Sequence, residues 1–128
     1  MIAETTFLID LLRNNKDAVK KAENIDKNSI PILSTSISVY EIWKGLDVVK
    51  NEERKTKLLA LLDSLALLNF DGQSAKIAGD IHRLLKAKGI AADPEDIMIA
   101  GIAKSNSETL LTRDKLFSKI EGLKIELY

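Results

Sequence analysis

The sequence predicts an α/β fold, a three-layer α/β/α sandwich around a five-stranded, mainly parallel sheet. Three observations point there. Short apolar runs recur along the 128 residues, amphipathic segments of helical period separate them, and no repeat or low-complexity stretch interrupts the alternation. Strands spaced by helices pair in parallel, because a crossover helix is what carries the chain back to the starting edge of the sheet.

Met1 to Glu4 forms the first short strand, and Thr5 or Thr6 is a suitable N-cap for a helix carrying Phe7, Leu8, Leu11 and Leu12. A second helix follows over Lys16 to Ile25. Pro31 to Thr35 is a buried strand that starts at a proline, where a missing amide donor is tolerated. Ser36 or Ser38 opens a helix with Val39, Ile42, Trp43, Leu46 and Val49 on one stripe. The charged start Asn51 to Lys57 leads into another helix with Leu58, Leu59, Leu61, Leu62 and Leu65. Leu67 to Phe70 is a strand, and Asp71 begins a long helix whose Ile77, Ala78, Ile81, Leu84 and Leu85 face inward until Gly89 ends it. A helix at Pro94 to Lys104, a strand at Thr109 to Thr112, a helical turn near Lys115 and a strand at Leu123 to Tyr128 complete the order.

Composition narrows the function classes. With 45% hydrophobic residues the chain matches one domain, residues 1–128, able to bury a single core. Nineteen basic residues balance nineteen acidic ones, so any polyanionic partner must be held locally rather than by the field of the whole molecule. The absence of cysteine removes disulfides, thiolate metal sites and cysteine nucleophiles, and it fits a reducing compartment. No apolar run approaches the roughly 18 residues of a membrane span, and the N-terminal segment lacks a basic leader. The expected compartment is the cytoplasm, with no membrane partner.

Four acids stand in or beside apolar segments where a solvated carboxylate is out of place: Glu4, Glu41, Asp96 and Asp114. Glu4 ends the first strand, Asp114 follows the fourth, and Glu41 and Asp96 lie early in helices that leave the same edge. In open parallel sheets ligands bind beyond that carboxyl edge. Carboxylates about 4 Å apart repel by roughly 4 kcal/mol at an effective dielectric near 20, so such a cluster needs raised pKa values or a bound cation. A hard divalent metal supplies the second solution and makes the chain a candidate hydrolase.

Each acid also has a plain structural reading. Asp93-Pro94-Glu95-Asp96 is a good helix start, with Asp93 as N-cap and Asp96 resembling the acid of a capping box. Glu41 lies opposite the apolar stripe, where an exposed glutamate is ordinary, although Gly45 one turn on leaves space beside it. Asp114 could cap the turn before Phe117, and Glu4 could end an edge strand.

Taken jointly, the segments carrying these acids resemble the PIN-domain family, and within it the VapC-type toxin ribonucleases of toxin–antitoxin pairs. The likeness spans the chain: Thr5-Thr6-Phe7-Leu8-Ile9-Asp10, Ser36-Ile37-Ser38-Val39-Tyr40-Glu41-Ile42-Trp43-Lys44-Gly45, Asp96-Ile97-Met98-Ile99-Ala100 and Leu110-Leu111-Thr112-Arg113-Asp114 stand in the family's order. The resemblance implies a metal-dependent endoribonuclease with Mg²⁺ or Mn²⁺ held by Glu4, Glu41, Asp96 and Asp114. It also implies a homodimer and a cognate antitoxin that occludes the acidic groove. Glu4 departs from the family pattern, which has aspartate there. The added methylene displaces the carboxylate by about a bond length in a site where octahedral Mg²⁺ tolerates little movement. A working site with altered metal preference, a weakened enzyme, or a PIN-fold binding module without catalysis are the open consequences.

On the metal reading Glu4, Asp96 and Asp114 are direct ligands, and Glu41 ligates or positions the attacking water. Asp93 is an outer partner. Thr5 and Thr112 carry hydroxyls close to the cluster that could orient ligands, or could be ordinary structural residues. Lys44, Arg113 and Lys115 are the expected RNA-facing cations. His82, the single histidine, sits on the border of a helical stripe, and no P-loop or Gly-x-Gly-x-x-Gly occurs, which disfavours a serine triad and nucleotide-dependent phosphoryl transfer. A phospho-receiver-like domain would need a phosphoacceptor aspartate after a central strand, and Asp71 is only a poor match. Leucines between Ile37 and Leu68 exceed one stripe and could bury against a second copy, an antitoxin, or simply the sheet.

Overall fold

The computed structural model describes residues 1–128. Five parallel strands, β1 (Ile2–Ala3), β2 (Leu33–Thr35), β3 (Ala66–Leu68), β4 (Leu110–Thr112) and β5 (Ile125–Leu127), lie in the order β3-β2-β1-β4-β5. Six helices connect them: α1 (Thr5–Leu12), α2 (Lys16–Lys27), α3 (Ser36–Lys44), α4 (Glu52–Ser64), α5 (Gly72–Ala87) and α6 (Pro94–Ser105). Short 3-10 segments follow α3 and β4, at Leu46–Val48 and Lys115–Lys119. The α/β sandwich expected from the alternation is the architecture observed.

The pleat sorts the side chains into two cores. Ile2 and its β4 partner Leu110 join one cluster with α5, α6, Phe117 and Ile120, whereas Ala3 and its partner Leu111 join the other, with Phe7, Leu8, Ala18, Ile42, Leu58 and Leu62. This period of two places the first four helices largely on one face and the last two on the other. Because β1 and β4 are covered on both sides, Ile2, Ala3, Leu110 and Leu111 are fully buried, the pattern of a central parallel strand. Glu4 therefore ends a central strand and not an edge strand.

Helix starts follow local chemistry, with corrections. The N-cap of α1 is Glu4 rather than Thr5 or Thr6, and that of α3 is Thr35 rather than Ser36 or Ser38. Asn15, Asn51 and Asp71 cap α2, α4 and α5 as their residue types favour. The apolar stripe expected of α3 is cut short because the helix ends at Lys44, before Leu46 and Val49, and Trp43 within it is 63% exposed. On α5, Ala78, Ile81 and Leu85 are buried as expected, but Leu84 faces solvent. Only Leu58 and Leu62 of the α4 leucines are fully buried.

Helix α6 is apolar on most sides because it lies beneath α5 and against the sheet. Its Ala100, Gly101 and Ala103 are small enough for α5 to approach closely. A Cβ on Gly101 would stand 2.6 Å from the Ser74 carbonyl oxygen and 2.9 Å from the Ala78 Cβ, and backbone cannot yield as a flexible side chain would. Gly101→Ala is thus expected to lower the unfolding free energy by about 1–3 kcal/mol, measured by chemical denaturation; an unchanged midpoint would show that the two helices separate freely. In the same titration Ser34→Ala, which removes a buried hydroxyl without a hydrogen-bond partner, is expected to raise stability by about 1 kcal/mol.

Candidate functional site

The strand order reverses between β1 and β4: the chain first builds outward through β2 and β3, then returns to add β4 and β5 on the other side. Crossovers leave in opposite directions at that point and open a crevice beyond the strand ends. Glu4 directly follows β1, Asp114 lies two residues past β4, and Thr35 ends β2 and starts the helix that carries Glu41.

Glu4 is 4% exposed and ties two elements together. Its Oε1 accepts from the Thr6 amide at 2.9 Å and the Thr6 hydroxyl at 3.2 Å, so it caps α1. Its Oε2 accepts from the Thr112 hydroxyl at 3.4 Å, a long contact for such a pair. Burial pushes the Glu4 carboxyl up in pKa, the Thr6 bonds oppose that, and the charge of Glu41 adds to the rise. Thr112 Oγ1 in turn accepts from the Asp114 amide at 3.0 Å, while Asp114 Oδ1 caps the following 3-10 segment by accepting from the Leu116 amide at 2.8 Å. Glu41 is fixed from α1: the Thr5 hydroxyl donates to its Oε1 at 2.7 Å. A chain of hydrogen bonds and adjacent residues so runs from α3 through α1 to the end of β4.

Asp96 is different. Although Asp93 is the N-cap of α6 and Pro94 occupies its first turn, the cap makes no side-chain hydrogen bond, so the expected capping box does not form. The Asp96 carboxyl is partly buried and its pKa is pushed up to about 7, first by desolvation and then by the charges of Glu4, Glu41, Asp114 and Asp93. Those four acids act on one carboxylate across elements that are remote in sequence. Glu4, Glu41, Asp96 and Asp114 hence share one field, with Asp93 exposed at its border.

They do not form a closed cage, since no three His, Cys, Asp or Glu side chains are gathered to metal-ligand spacing. The donor chemistry nevertheless fits a hard divalent cation: the groups are all carboxylate oxygens, and one half-buried member lacks the protein donors that satisfy the others. Glu4, Glu41, Asp96 and Asp114 are the residues able to hold such an ion.

The surroundings correct two expectations about charge. Lys44 is paired with Glu95 at 3.0 Å and stands 5.1 Å from the Tyr40 ring centroid. Arg113 is paired at 3.0 Å with Asp10, a 3% exposed acid that also accepts from the Tyr128 hydroxyl at 2.9 Å. Asp10 thus has a cationic partner and a hydroxyl donor of its own. Burial, followed by the bond to Asp10, pushes the Tyr128 phenol well above its ordinary range. His82 is exposed on α5. The sequence identifies both the acids and the Thr5 and Thr112 hydroxyls beside them, but not which acid each hydroxyl holds, because the partners are remote along the chain.

Comparison with known proteins identifies the family. The family model described as PIN domain matches residues 1–123. Ribonuclease VapC3 of Methanocaldococcus jannaschii is 36% identical over 101 residues, covering 79% of this chain and 95% of that protein. The tRNA(fMet)-specific endonuclease VapC of Salmonella typhimurium is 28% identical over 125 residues, 96% of this chain and 93% of the relative. The crystal structure of DNA-bound VapBC from Salmonella typhimurium superposes with a TM-score of 0.85 at 27% identity, covering 98% of this chain and 96% of that one. With a family model running through every element that builds the crevice, the chain belongs to the PIN-domain family and to its VapC type.

Proposed function

We propose that this protein is a metal-dependent endoribonuclease, the toxin of a toxin–antitoxin pair, hydrolysing RNA phosphodiester bonds with Mg²⁺ or Mn²⁺ at Glu4, Glu41, Asp96 and Asp114. The observation that carries the reading is Asp96: a half-buried carboxylate in the field of four other acids, raised to about pKa 7. Such an arrangement costs the fold energy, and a divalent cation converts it into a binding site. The ribonuclease and endonuclease names of the relatives support the reaction class.

A bound divalent ion would hold the scissile phosphate, acidify a water and stabilise charge on the leaving oxygen. The protein supplies the positions. Thr5 holds one oxygen of Glu41 and leaves the other for the attacking water, whose proton it can accept as the new phosphorus–oxygen bond forms and the bond to the leaving oxygen breaks. Thr112 holds Glu4 and the Asp114 backbone in one register, and Asp93 adds negative potential behind Asp96.

We read residues 1–128 as one nuclease domain acting in the cytoplasm; no helix is long and apolar enough to cross a membrane. Its partners on this reading are RNA, a cognate antitoxin over the acidic groove, and a second copy of the chain. Exposed Tyr40, Trp43, Val48 and Leu67 are the apolar surface available to those proteins.

Asp96→Asn is expected to lower Mg²⁺- or Mn²⁺-dependent RNA cleavage by roughly two orders of magnitude, the scale of losing one group that stabilises transition-state charge. Glu4→Asp is expected to keep cleavage within roughly tenfold of the parent; a larger gain would show that Glu4 weakens the enzyme. Both are read from initial rates on a labelled single-stranded RNA.

A stability measurement checks the metal reading without activity. Between the ordinary value of 3.8 and about 7, folded Asp96 keeps a proton that the unfolded chain has lost. Stability consequently falls as pH rises through that window, and the cost is complete above about pH 7. In divalent-free buffer, Asp96→Asn is expected to unfold at a higher temperature than the parent at alkaline pH, with the difference vanishing toward pH 3.8. Added Mn²⁺ is expected to stabilise the parent far more than the variant; equal stabilisation would remove Asp96 from the ion site.

A further inference from the structure

Beside the acidic crevice lies a cavity of about 470 Å³ between the C-terminal half of α1, α3 and the start of α4, with Glu41 in its wall. That volume is in the range of small-molecule sites. Its apolar surface comes from Ile9, Leu12, Ile42, Val48, Val49 and Leu58. Its charged lining is one-sided: Arg13, Lys50 and Arg54 face it against the single carboxylate of Glu41.

None of these three cations takes part in an ion pair, whereas Lys44 and Arg113, closer to the acids in sequence, are both occupied. Cations left unpaired around an aliphatic pocket serve neither the core nor a salt-bridge network. A second hollow continues from the first and shares Leu12, Asn51 and Arg54 with it; its further charged residues, Glu53 and Lys57, pair with each other, so the unpaired cations are concentrated in the first cavity. A nucleotide has the complementary form, with a flat, largely apolar base and an anionic phosphate.

We propose that this cavity is a nucleotide subsite: it takes one residue of a single-stranded RNA next to the scissile phosphate, with the base on the aliphatic floor and its phosphate on Arg13, Lys50 and Arg54. The inference rests on the ribonuclease reading and adds to it where the flanking strand is held. Glu41 repels phosphate, so the anionic end of the nucleotide goes to the cations and the base occupies the remaining space. Contacts of this type hold the chain of any sequence and bias selection only through the shape of the floor.

The test uses the full chain and a short, mixed-sequence, fluorescently labelled single-stranded RNA. Binding is measured by anisotropy in the Asp96→Asn background, where cleavage is suppressed, with and without Arg13→Ala and Arg54→Ala together. The double change is expected to weaken binding roughly tenfold and to reduce the slope of log affinity against log salt by roughly 0.7 per cation removed. In the Asp96-intact protein the same pair is expected to raise KM far more than it lowers kcat. Val48→Trp, at a residue 75% exposed, narrows the cavity mouth without changing charge. It is expected to raise KM with the salt slope unaltered. If the parent cleaves RNA and these variants keep its KM and salt slope, the subsite is overturned while the ribonuclease reading stands. If they instead lose affinity only for a protein partner, the cavity is a protein surface and the proposal again fails. A parent that neither binds nor cleaves RNA overturns the reading beneath it.

Discussion

Everything at the carboxyl edge of this sheet depends on the mutual repulsion of acids that the fold forces into one field. Folding places Glu4 after β1, Asp114 after β4 and Glu41 and Asp96 in helices leaving the same edge; Glu4 is buried, Glu41 and Asp96 are partly so, and Asp114 stays exposed. The response is unequal. Glu4, Glu41 and Asp114 accept hydrogen bonds from Thr6, Thr5 and the Leu116 amide respectively. Burial still raises the Glu4 pKa despite its bonds to Thr6, and Asp96, which has no such donor, is pushed up to about 7, first by desolvation and then by the charges of the other acids. A site built this way is destabilised where it must bind, a pattern that functional sites share and structural cores avoid.

The Asp10 cluster shows the alternative, built from the same helix. Asp10 is as buried as Glu4, but it receives a guanidinium and a phenol donor, and the ring of Tyr128 packs edge-on against Phe7 with centroids 4.9 Å apart. A buried acid with a cationic partner is a structural element that ties the last residue of the chain and the loop after β4 to α1. Two acids on one helix thus meet opposite fates, and what separates them is the partner that the fold supplies. With Arg113 and Lys44 paired, the unpaired cations near the crevice are Lys115, directly after Asp114, and Arg13, Lys50 and Arg54 around the neighbouring cavity.

The fold was legible in the sequence because its strands are continuous apolar runs and its helices start with ordinary capping residues, both of which are local. Errors arose where a local rule met a nonlocal one. Leu46 and Val49 fitted the apolar stripe of α3, but the helix stops at Lys44, and a stripe has no meaning past the last turn. Leu84 kept the period of α5, yet it falls at the margin of the contact with α6, where Ala78, Ile81 and Leu85 already fill the interface. Asp96 satisfied the pattern of a capping box, but α6 starts without a side-chain cap bond from Asp93. The acids were legible as carboxylates in apolar surroundings, and the Thr5 and Thr112 hydroxyls as neighbours at strand ends; which acid each hydroxyl holds and the pairing of Lys44 and Arg113 were not, because each partner lies far along the chain and only the topology brings it close.

Glutamate at position 4 makes physical sense once the cap is considered. An N-cap usually has a short side chain, because its oxygen must curl back onto the amide two or three residues ahead. Glu4 does this with one oxygen, on Thr6, and its extra methylene lets the second extend toward Thr112 across the β1–β4 junction. An aspartate would satisfy the cap alone. Lengthening the side chain at this point therefore joins the two strands that flank the switch point, and it draws Glu4 toward Asp114 through the shared Thr112 hydroxyl. The departure from the family's usual residue is in this way compatible with a carboxylate cluster whose geometry is set by threonines, and the long 3.4 Å contact is weak enough to yield when an ion offers Oε2 a stronger partner.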